Sequence, residues 1–369
     1  MKYKRMPIEI ESPEQLGYET IECNLAESSV HDAIFKNLNL NLDELILCYG
    51  DHIGKPELRQ LIAQEYDNIL ANDVLLTAGA AAALFIVATS LLQKEDHLIV
   101  IRPNYATNIE TPRSIGCEID FIDLQFENNF QIDINAVKKL IKNTTKYISI
   151  TTPHNPTGTI IDEKTLLELI KLAETNNIYL LVDETYRDLS PEKQLPLAAT
   201  LSENAISVSS VSKAFGLPGI RIGWLITRNK KLQELFLAAK EQIFLCNSVL
   251  DEEIAYQFLL KKHEFLPEIQ EKIIKNRLIL KNWMKNHPFL EWIEPQAAVV
   301  CFPRIKSEKE IDIEQFYNKL YTNHKTLVGA GHWFEMDKRY MRIGYGWPNS
   351  ETLIKGLNNI TKALKESLK

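Results

Sequence analysis

The sequence predicts an α/β fold whose larger part is a mostly parallel sheet flanked by helices. Between about residues 70 and 230, short apolar runs alternate with amphipathic helical segments, as in a sheet built from strand–helix–strand units. Several of these runs lack the alternation of a half-buried strand, as expected for strands covered on both faces. At 369 residues the chain is long enough for about two domains. The predicted strands are residues 74–77, 97–102, 118–122, 146–151, 178–183, 205–208 and 222–227.

Capping and turn signals predict where several helices begin and end. Asp162 is a suitable N-cap for a helix that runs to about Glu174, and an Asn-Asn pair suits its end. This helix completes a strand–helix–strand unit over residues 150–182. The apolar run at residues 80–88 predicts a buried helix.

The C-terminal part of the chain has a different pattern. A long helix is predicted after Pro267 as far as about Asn286, and strand-like runs follow at residues 297–302 and 340–343, separated by helices. This change in composition predicts a domain boundary within the long helix, near residue 280.

Composition and charge argue against several classes of protein. Hydrophobic residues make up 45% of the chain and charged residues 25%, as in ordinary globular enzymes. The formal net charge of −7, with no basic run, argues against a nucleic-acid partner. The longest apolar run is far short of the ~20 residues that cross a bilayer, so no membrane association is expected. Five scattered cysteines and an N-terminus without an apolar signal segment predict a reduced, cytoplasmic protein.

Residues 209–224, which read SSVSKAFGLPGIRIGW, carry the most informative chemistry in the chain. Lys213 follows the strand-like run 205–208 and lies among hydroxyl residues, with Arg221 eight positions downstream. A lysine amine becomes a nucleophile where its surroundings position it and help it to lose a proton, and a guanidinium with hydroxyls can hold a phosphate. A single lysine is usually a solvated surface charge, but this pattern favours a lysine that binds a phosphorylated aldehyde.

Other candidate residues follow predicted strands, where ligands of open α/β sheets bind. Residues 77–82 read TAGAAA and open a helix, so their backbone N–H groups can approach an anion, although small residues also serve helix packing. Asp183 ends a strand, and a carboxylate buried there needs a partner. From the residues alone, Asp183 is either a structural cap or a catalytic group. Tyr105 and Asn155 are likewise either loop residues or ligand contacts.

The segment around Lys213 resembles the cofactor-binding motif of fold-type I pyridoxal-phosphate enzymes in the class I/II aminotransferase family. The match covers Ser210, Lys213, Gly219, Arg221 and Gly223, and further matches follow in the right order over nearly the whole chain. In that family the lysine forms an aldimine with pyridoxal 5′-phosphate, the serine and arginine bind its phosphate, and the glycines allow close backbone packing. The resemblance therefore implies the fold-type I architecture and this cofactor.

The same resemblance implies how the cofactor is held. Gly79, Ala80 and Ala81 would form a cradle for its phosphate. Tyr105 would stack on one face of the pyridine ring and exclude water from it. No metal is expected.

Roles in catalysis and substrate binding also follow from the resemblance. Lys213 would carry the proton, Asp183 would keep the ring nitrogen protonated, and Tyr186 and Asn155 would hydrogen-bond the phenolic oxygen. Arg342, in the segment RYMRIG, would bind the substrate α-carboxylate as a two-pronged fork, and Asn155 would lie with it at the substrate.

The family architecture implies a large domain of residues 45–280 and a smaller, discontinuous α+β domain made of residues 1–44 and 281–369. Tyr49, in the segment YGDHIGKPELR, matches a family tyrosine that crosses a dimer interface to the neighbouring phosphate. The resemblance thus implies a homodimer.

The function implied is transfer of an amino group from an L-amino acid to a 2-oxo acid through the Lys213 aldimine. The same cofactor chemistry supports a lyase, decarboxylase, racemase or oxidase, and no motif separates these reactions. A regulator that senses a ligand with this fold is the alternative from another class. Such a regulator carries a DNA-binding domain, for which the residues before Tyr49 leave too little room.

The side chain of the substrate is less constrained by the sequence. Residues 24–32 read NLAESSVHD, more polar and acidic than the family's usual sequence. Glu27 and Asp32 are either receptors for a cationic side chain, such as that of arginine, or solvated surface acids. Two other segments depart from the family: PQAA at residues 295–298, where glycine is common, and the aromatic cluster GHWF at residues 331–334.

Overall fold

The computed structural model describes residues 1–190 and 194–369, and its largest element is a seven-stranded sheet. The strands of the described chain, which form this sheet and three smaller ones, are in chain order β1 Cys23–Asn24, β2 Val74–Thr77, β3 His97–Arg102, β4 Glu118–Asp123, β5 Thr145–Thr151, β6 Tyr179–Asp183, β7 Ala205–Ser210, β8 Gly223–Ile226, β9 Leu290–Glu291, β10 Val300–Cys301, β11 Arg304–Ile305, β12 Thr326–Leu327, β13 Gly329–Ala330 and β14 Met341–Gly344.

Helices cover the sheet and build much of the C-terminal part. They are α1 Pro7–Ile10, α2 Pro13–Leu16, α3 Pro56–Ala63, α4 Gly79–Leu91, α5 Thr107–Ile115, α6 Ile134–Leu140, α7 Glu163–Asn176, α8 Ala198–Leu201, α9 Lys230–Phe244, α10 Val249–Leu260, α11 Lys262–Met284, α12 Ile313–Thr322 and α13 Ser350–Glu366. Within the described ranges, none of these helices combines the length and the apolar character needed to cross a bilayer.

The large sheet has the strand order β2-β8-β7-β6-β5-β3-β4. Strand β8 runs antiparallel to both of its neighbours, and the other pairs between β7 and β4 are parallel. The prediction of a mostly parallel sheet flanked by helices is therefore confirmed. All seven predicted strands are present, with ends that differ by at most two residues.

Both faces of this sheet are buried. In β3, Leu98 and Val100 pack with the apolar residues of α4 and α9, whereas Ile99 and Ile101 pack with those of α7 on the other face. Each fully buried side chain of this size contributes roughly 1.5–3 kcal/mol. Because both faces need apolar side chains, the strands show no hydrophobic alternation in the sequence.

The parallel arrangement brings the carboxyl ends of several strands to one edge of the sheet. Thr77, Thr151, Asp183 and Ser210 end β2, β5, β6 and β7 at this edge, and β8 begins there at Gly223 because it runs in the opposite direction. The loops after these strands are therefore close together in space, although they are far apart in the sequence.

The N-terminal segment lies with the C-terminal part of the chain. Strand β1 pairs with β12, and the backbone N–H of Leu25 donates to the carbonyl of Leu327 at 2.9 Å. The carbonyl of Leu25 in turn accepts from the N–H of Gly344 at 2.8 Å. These bonds are consistent with a discontinuous smaller domain, whose boundaries at residues 45 and 280 stay a prediction.

The long C-terminal helix differs from its prediction at its start. Helix α11 begins at Lys262, so the expectation that it starts after Pro267 is wrong. Pro267 is the sixth residue of this helix, where proline removes one backbone hydrogen bond and crowds the carbonyl of residue 263 at a cost of roughly 3 kcal/mol, so the sequence pattern favours a helix that starts after it. The helix ends at Met284, and Asn286 beyond it adopts a left-handed φ of 57°.

The predicted strand at residues 297–302 is also shorter than expected, because β10 spans only Val300–Cys301. Ala298 has a left-handed φ of 60°, which interrupts the extended chain. This conformation costs an alanine roughly 1–2 kcal/mol, whereas the glycine common in this segment of the family adopts it freely.

The two glycines of the Lys213 motif have different surroundings. A Cβ at Gly223 would lie 2.6 Å from the amide nitrogen of Ala80, so β8 passes directly against the turn between β2 and α4. A Cβ at Gly219 would meet no atom within 4 Å. The expectation of close backbone packing therefore holds for Gly223 and is wrong for Gly219.

These surroundings predict opposite outcomes for two alanine substitutions. Gly223→Ala should lower the free energy of unfolding by about 1–3 kcal/mol, because backbone atoms must move to admit the methyl group. Gly219→Ala, the matched control, should change it by less than about 0.5 kcal/mol. Urea unfolding of both variants measures the difference, and equal losses would contradict the close contact at Gly223.

Candidate active site

A cavity of about 350 Å³ lies at the carboxyl edge of the large sheet. This volume falls within the range of small-molecule pockets, roughly 300–1,000 Å³. Its walls come from the loops after the strands, from the N-terminal segment and from β14. The cavity brings together ten of the residues that the sequence singled out: Ala80, Ala81, Tyr105, Asn155, Asp183, Tyr186, Ser210, Lys213, Arg221 and Arg342.

Lys213 lies three residues beyond the end of β7 and is held by the N-terminal segment. Its Nζ donates to Oγ of Ser28 at 3.2 Å. Its backbone carbonyl accepts from the N–H of Val30 at 3.0 Å. The amine is therefore positioned at the cavity by a neutral hydroxyl and is free to bind a ligand.

Asp183 is the carboxylate at the end of β6, and its residue is 5% exposed. Its Oδ1 accepts from the backbone N–H of Thr185 at 3.1 Å and from the Thr185 hydroxyl at 2.6 Å. Burial raises the pKa of Asp183, while these hydrogen bonds and the charge of Lys213 oppose the rise. A cationic donor in the cavity would stabilise the ionised carboxylate.

Tyr186 adds a buried hydroxyl to the same wall. The residue is 3% exposed, and its Oη has no hydrogen-bond partner in the structure. A buried polar group without a partner costs roughly 1–3 kcal/mol. The hydroxyl is therefore available to form a hydrogen bond with a ligand in the cavity.

The turn between β2 and α4 and the side chain of Arg221 form the opposite end of the cavity. Gly79 has a φ of 79°, and a Cβ there would collide with the Arg221 guanidinium. The first N–H groups of a helix have no intrahelical acceptor, and Ala80 and Ala81 line the cavity at the start of α4. With the hydroxyl of Ser210, these groups form a cationic, donor-rich end that suits an anion.

Arg342 extends from β14 into the cavity wall and is 4% exposed. Its Nη1 donates to Oδ1 of Asn155 at 3.1 Å, and its Nη2 donates to the carbonyl of Ala26 at 2.7 Å. Its Nε has no hydrogen-bond partner among the residues that the structure describes. Burial lowers the pKa of Arg342, so a bound carboxylate would compensate for part of the cost of the buried charge.

His154 supports the loop that carries Asn155. Its Nε2 lies 2.9 Å from the carbonyl of Pro103, and its Nδ1 lies 2.7 Å from the Thr157 hydroxyl. A carbonyl only accepts, so Nε2 carries the proton and the hydroxyl donates to Nδ1. Burial lowers the pKa of His154 to about 4, which keeps the ring neutral near pH 7 and suits a structural role in this loop.

Three of the candidate cofactor- or substrate-binding residues, Gly79, Tyr49 and Asp32, lie outside the cavity lining. Gly79 shapes the cavity through its contact with Arg221. Tyr49 is 82% exposed. Asp32 is also outside, and its Oδ2 accepts from Nε1 of Trp347 at 2.9 Å. The suggestion that Asp32 receives a substrate side chain is therefore not supported by its position.

Sequence reasoning missed several cavity residues of the N-terminal segment. Glu9, Glu14 and Ser28 line the cavity, and none of them belongs to a recognisable motif. Glu11 fastens this segment to the C-terminal part, because it accepts from Nε1 of Trp333 at 2.6 Å. Only the tertiary fold brings these residues to the site.

Comparison with known proteins shows which family this chain resembles. The model of the family "Aminotransferase class I and II" matches residues 23–359. An aspartate aminotransferase of Pyrococcus horikoshii is 30% identical over 336 residues, which cover 88% of this chain and 85% of the relative. A capreomycidine synthase of Streptomyces vinaceus is 26% identical, with 94% of this chain and 91% of the relative covered.

A solved structure has the same fold over the full length. The crystal structure of a PLP-dependent aminotransferase from Streptococcus suis superposes with a TM-score of 0.92 and 30% sequence identity. The similarity covers 100% of both chains.

Proposed function

Because the chain belongs to the class I and II aminotransferase family, we propose that it moves the amino group of an L-amino acid to a 2-oxo acid. The enzyme is a pyridoxal 5′-phosphate-dependent aminotransferase by family. The observation that carries the proposal is that Lys213, Asp183 and Arg342 line the same cavity. The reaction needs an amine as nucleophile, an anion next to the ring nitrogen and a cation that binds the substrate carboxylate, and these three residues would supply them in that order.

The residues present fit pyridoxal 5′-phosphate. The buried carboxylate of Asp183 suits a protonated ring nitrogen, and the unpartnered hydroxyl of Tyr186 suits a phenolic oxygen. The start of α4, Ser210 and Arg221 supply donors for a phosphate. When bound, the cofactor accepts the electrons that are released as a bond at the substrate α-carbon breaks.

Several side chains would orient the cofactor. Tyr105 lines the cavity after β3 and would cover one face of the ring, where it excludes water. Asn155 would share the phenolic oxygen with Tyr186. Asp183, between β5 and β7, would hold the proton on the ring nitrogen.

The substrate would be placed by Arg342 and acted on by Lys213. The guanidinium of Arg342, with its unpartnered Nε, would bind the α-carboxylate together with the Asn155 amide. Nζ of Lys213 would accept the proton from the α-carbon and later donate it, while the Ser28 hydroxyl keeps the amine in reach.

A second candidate function is conversion of an amino acid without a 2-oxo acid acceptor, by a lyase, decarboxylase or oxidase. The capreomycidine synthase relative, which matches 94% of this chain, is the observation that favours it. Product formation that requires an added 2-oxo acid supports amino transfer. Ammonia, carbon dioxide or peroxide formed without an acceptor supports the second candidate.

We also propose that the working unit is a homodimer in the cytoplasm. Ile46, Leu47 and Tyr49 are 76%, 78% and 82% exposed in the single chain, and so many exposed apolar side chains in one segment suit an interface. In the dimer, Tyr49 would reach the phosphate in the partner subunit. The exposed, free thiol of Cys48 suits a reducing compartment.

Substitution of Lys213 by alanine should abolish amino transfer, with kcat reduced by at least ~10³-fold, because the proton carrier is lost. The folded state should remain, since in the described part of the chain this side chain makes a single hydrogen bond. Turnover and thermal unfolding of the purified variant measure both effects. A Lys213→Ala protein that still transfers amino groups would contradict the assignment.

Lys240 provides the matched control for the identity of the reactive lysine. It is fully buried, and burial lowers its pKa to about 8, so desolvation alone would select it as a nucleophile. It does not line the cavity. Borohydride reduction with pyridoxal 5′-phosphate should therefore attach the cofactor to Lys213 and leave Lys240 unmodified in peptide mass spectra.

If Tyr49 of one subunit completes the active site of the other, two defective variants should complement each other. Lys213→Ala and Tyr49→Ala should each have low activity alone, whereas a mixture refolded together should regain about a quarter of wild-type activity, because hybrid dimers contain one intact site. Tyr3→Ala, which removes another exposed tyrosine, should have full activity alone. Absence of recovery, with hybrid dimers demonstrated by mass spectrometry, would show that Tyr49 does not act across the interface.

A further inference from the structure

The N-terminal segment places three carboxylates in the cavity wall. Glu9, Glu14 and Glu27 all line the cavity that contains Lys213 and Arg342. Glu9 and Glu27 are partly buried, whereas Glu14 is exposed. The cavity itself is built for a ligand, because the buried Oη of Tyr186 and Nε of Arg342 have no partner there.

Within the part of the chain that the structure describes, no cation forms an ion pair with these carboxylates, although the charges of Glu27 and Glu9 act on Arg342 and oppose the lowering of its pKa. Oε1 of Glu27 accepts from the hydroxyl of Tyr18 at 3.1 Å, and Oε1 of Glu9 accepts from the hydroxyl of Tyr105 at 3.4 Å. Burial and the charges of Glu27 and Glu14 raise the pKa of Tyr18, so this donor stays neutral. The two hydroxyls therefore orient the carboxylates without reducing their charge.

Glu27 lies next to the position where the substrate α-carbon must be. The carbonyl of Ala26 accepts from Arg342, and the hydroxyl of Ser28 accepts from Lys213, at 2.7 and 3.2 Å. An amino acid bound to Arg342 and within reach of Lys213 thus lies along residues 26–28. Glu27, between the two contacts, is placed to meet the first polar group of its side chain.

Within one subunit, the described cavity lining offers no further cation for an acidic side chain. Among the described lining residues the cations are Lys213, Arg221 and Arg342, and the proposed function uses them for the amine, the phosphate and the α-carboxylate. Asp183 would be paired with the ring nitrogen. The unmatched groups are then the three glutamates.

We propose that the enzyme selects an L-amino acid whose side chain ends in an ammonium or guanidinium group, with Glu27 as its main contact and Glu9 and Glu14 as further acceptors. The inference rests on the proposed amino transfer, which supplies the roles of Lys213 and Arg342. An acidic side chain would meet three carboxylates at this position and is rejected by their repulsion.

The first test compares the half-reaction of the cofactor-loaded enzyme with single amino acids. L-arginine and L-citrulline have nearly the same shape, but a neutral urea group replaces the guanidinium in citrulline. The second-order rate of cofactor bleaching should be at least about tenfold higher for L-arginine or L-ornithine than for L-citrulline. L-glutamate and L-aspartate should be slower still. A rate for citrulline or aspartate equal to that for both cationic amino acids would overturn the inference.

Amide variants identify the residue responsible. Glu27→Gln should remove most of the preference, because the rate for L-arginine should fall towards that for L-citrulline. Glu19→Gln, which alters an exposed acid of the same segment outside the cavity, is the matched control and should preserve the preference. A preference that survives in the Glu27→Gln, Glu9→Gln and Glu14→Gln variants alike would exclude these carboxylates as its source.

A binding experiment separates this inference from the proposed reaction. 5-Guanidinopentanoate and 5-ureidopentanoate lack the α-amino group and cannot react, so calorimetry on the cofactor-loaded enzyme measures side-chain recognition alone. We expect the guanidino compound to bind at least about tenfold more tightly. If it does while no amino acid bleaches the cofactor, amino transfer fails and the charge preference stands. If amino acids react but the two compounds bind equally, amino transfer stands and the charge preference is wrong.

Discussion

The carboxylate at the end of β6 is the constraint on which the rest of the site depends. Asp183 is almost fully buried, and the donors that it bonds in the described chain, Thr185 and Asn108, are neutral. Removal of one charge from water without a counter-charge costs several kcal/mol, so the site is complete only with a cationic ligand atom there. A protonated pyridine nitrogen would provide that charge. Lys213, on the loop after the adjacent strand β7, lines the same cavity.

The N-terminal segment gives the site a second, separate function. The large sheet carries the groups for the cofactor, whereas residues 26–28 connect Arg342 with Lys213 and direct Glu27 into the cavity. The segment is held by the β1–β12 pair and by the bonds of Glu11 to the 3₁₀ turn Gly331–Phe334. We therefore expect substitutions at Glu27 to change the choice of substrate, whereas substitutions at Ser28 would also affect Lys213.

The sequence predicted the parts of the molecule that depend on local patterns. Strands buried on both faces gave the large sheet, and the motif around Lys213 gave the cofactor end of the cavity. Features that depend on tertiary packing could not be predicted. Glu9 and Glu14 reach the cavity only because the chain folds back over it, and Asp32, close to Glu27 in sequence, bonds instead to Trp347. The left-handed backbone of Ala298 and the open space around Gly219 also could not be predicted, because neither residue type indicates its backbone conformation or its neighbours.

The protonation state of the bound cofactor's ring nitrogen tests the central role of Asp183 most directly. The ¹⁵N chemical shift of labelled pyridoxal 5′-phosphate in the enzyme measures this state. We expect a protonated nitrogen in the wild-type protein at pH 7.5 and an unprotonated one in Asp183→Asn, because the amide offers no negative charge. An unprotonated nitrogen in the wild-type enzyme, or no change in the variant, would contradict the account.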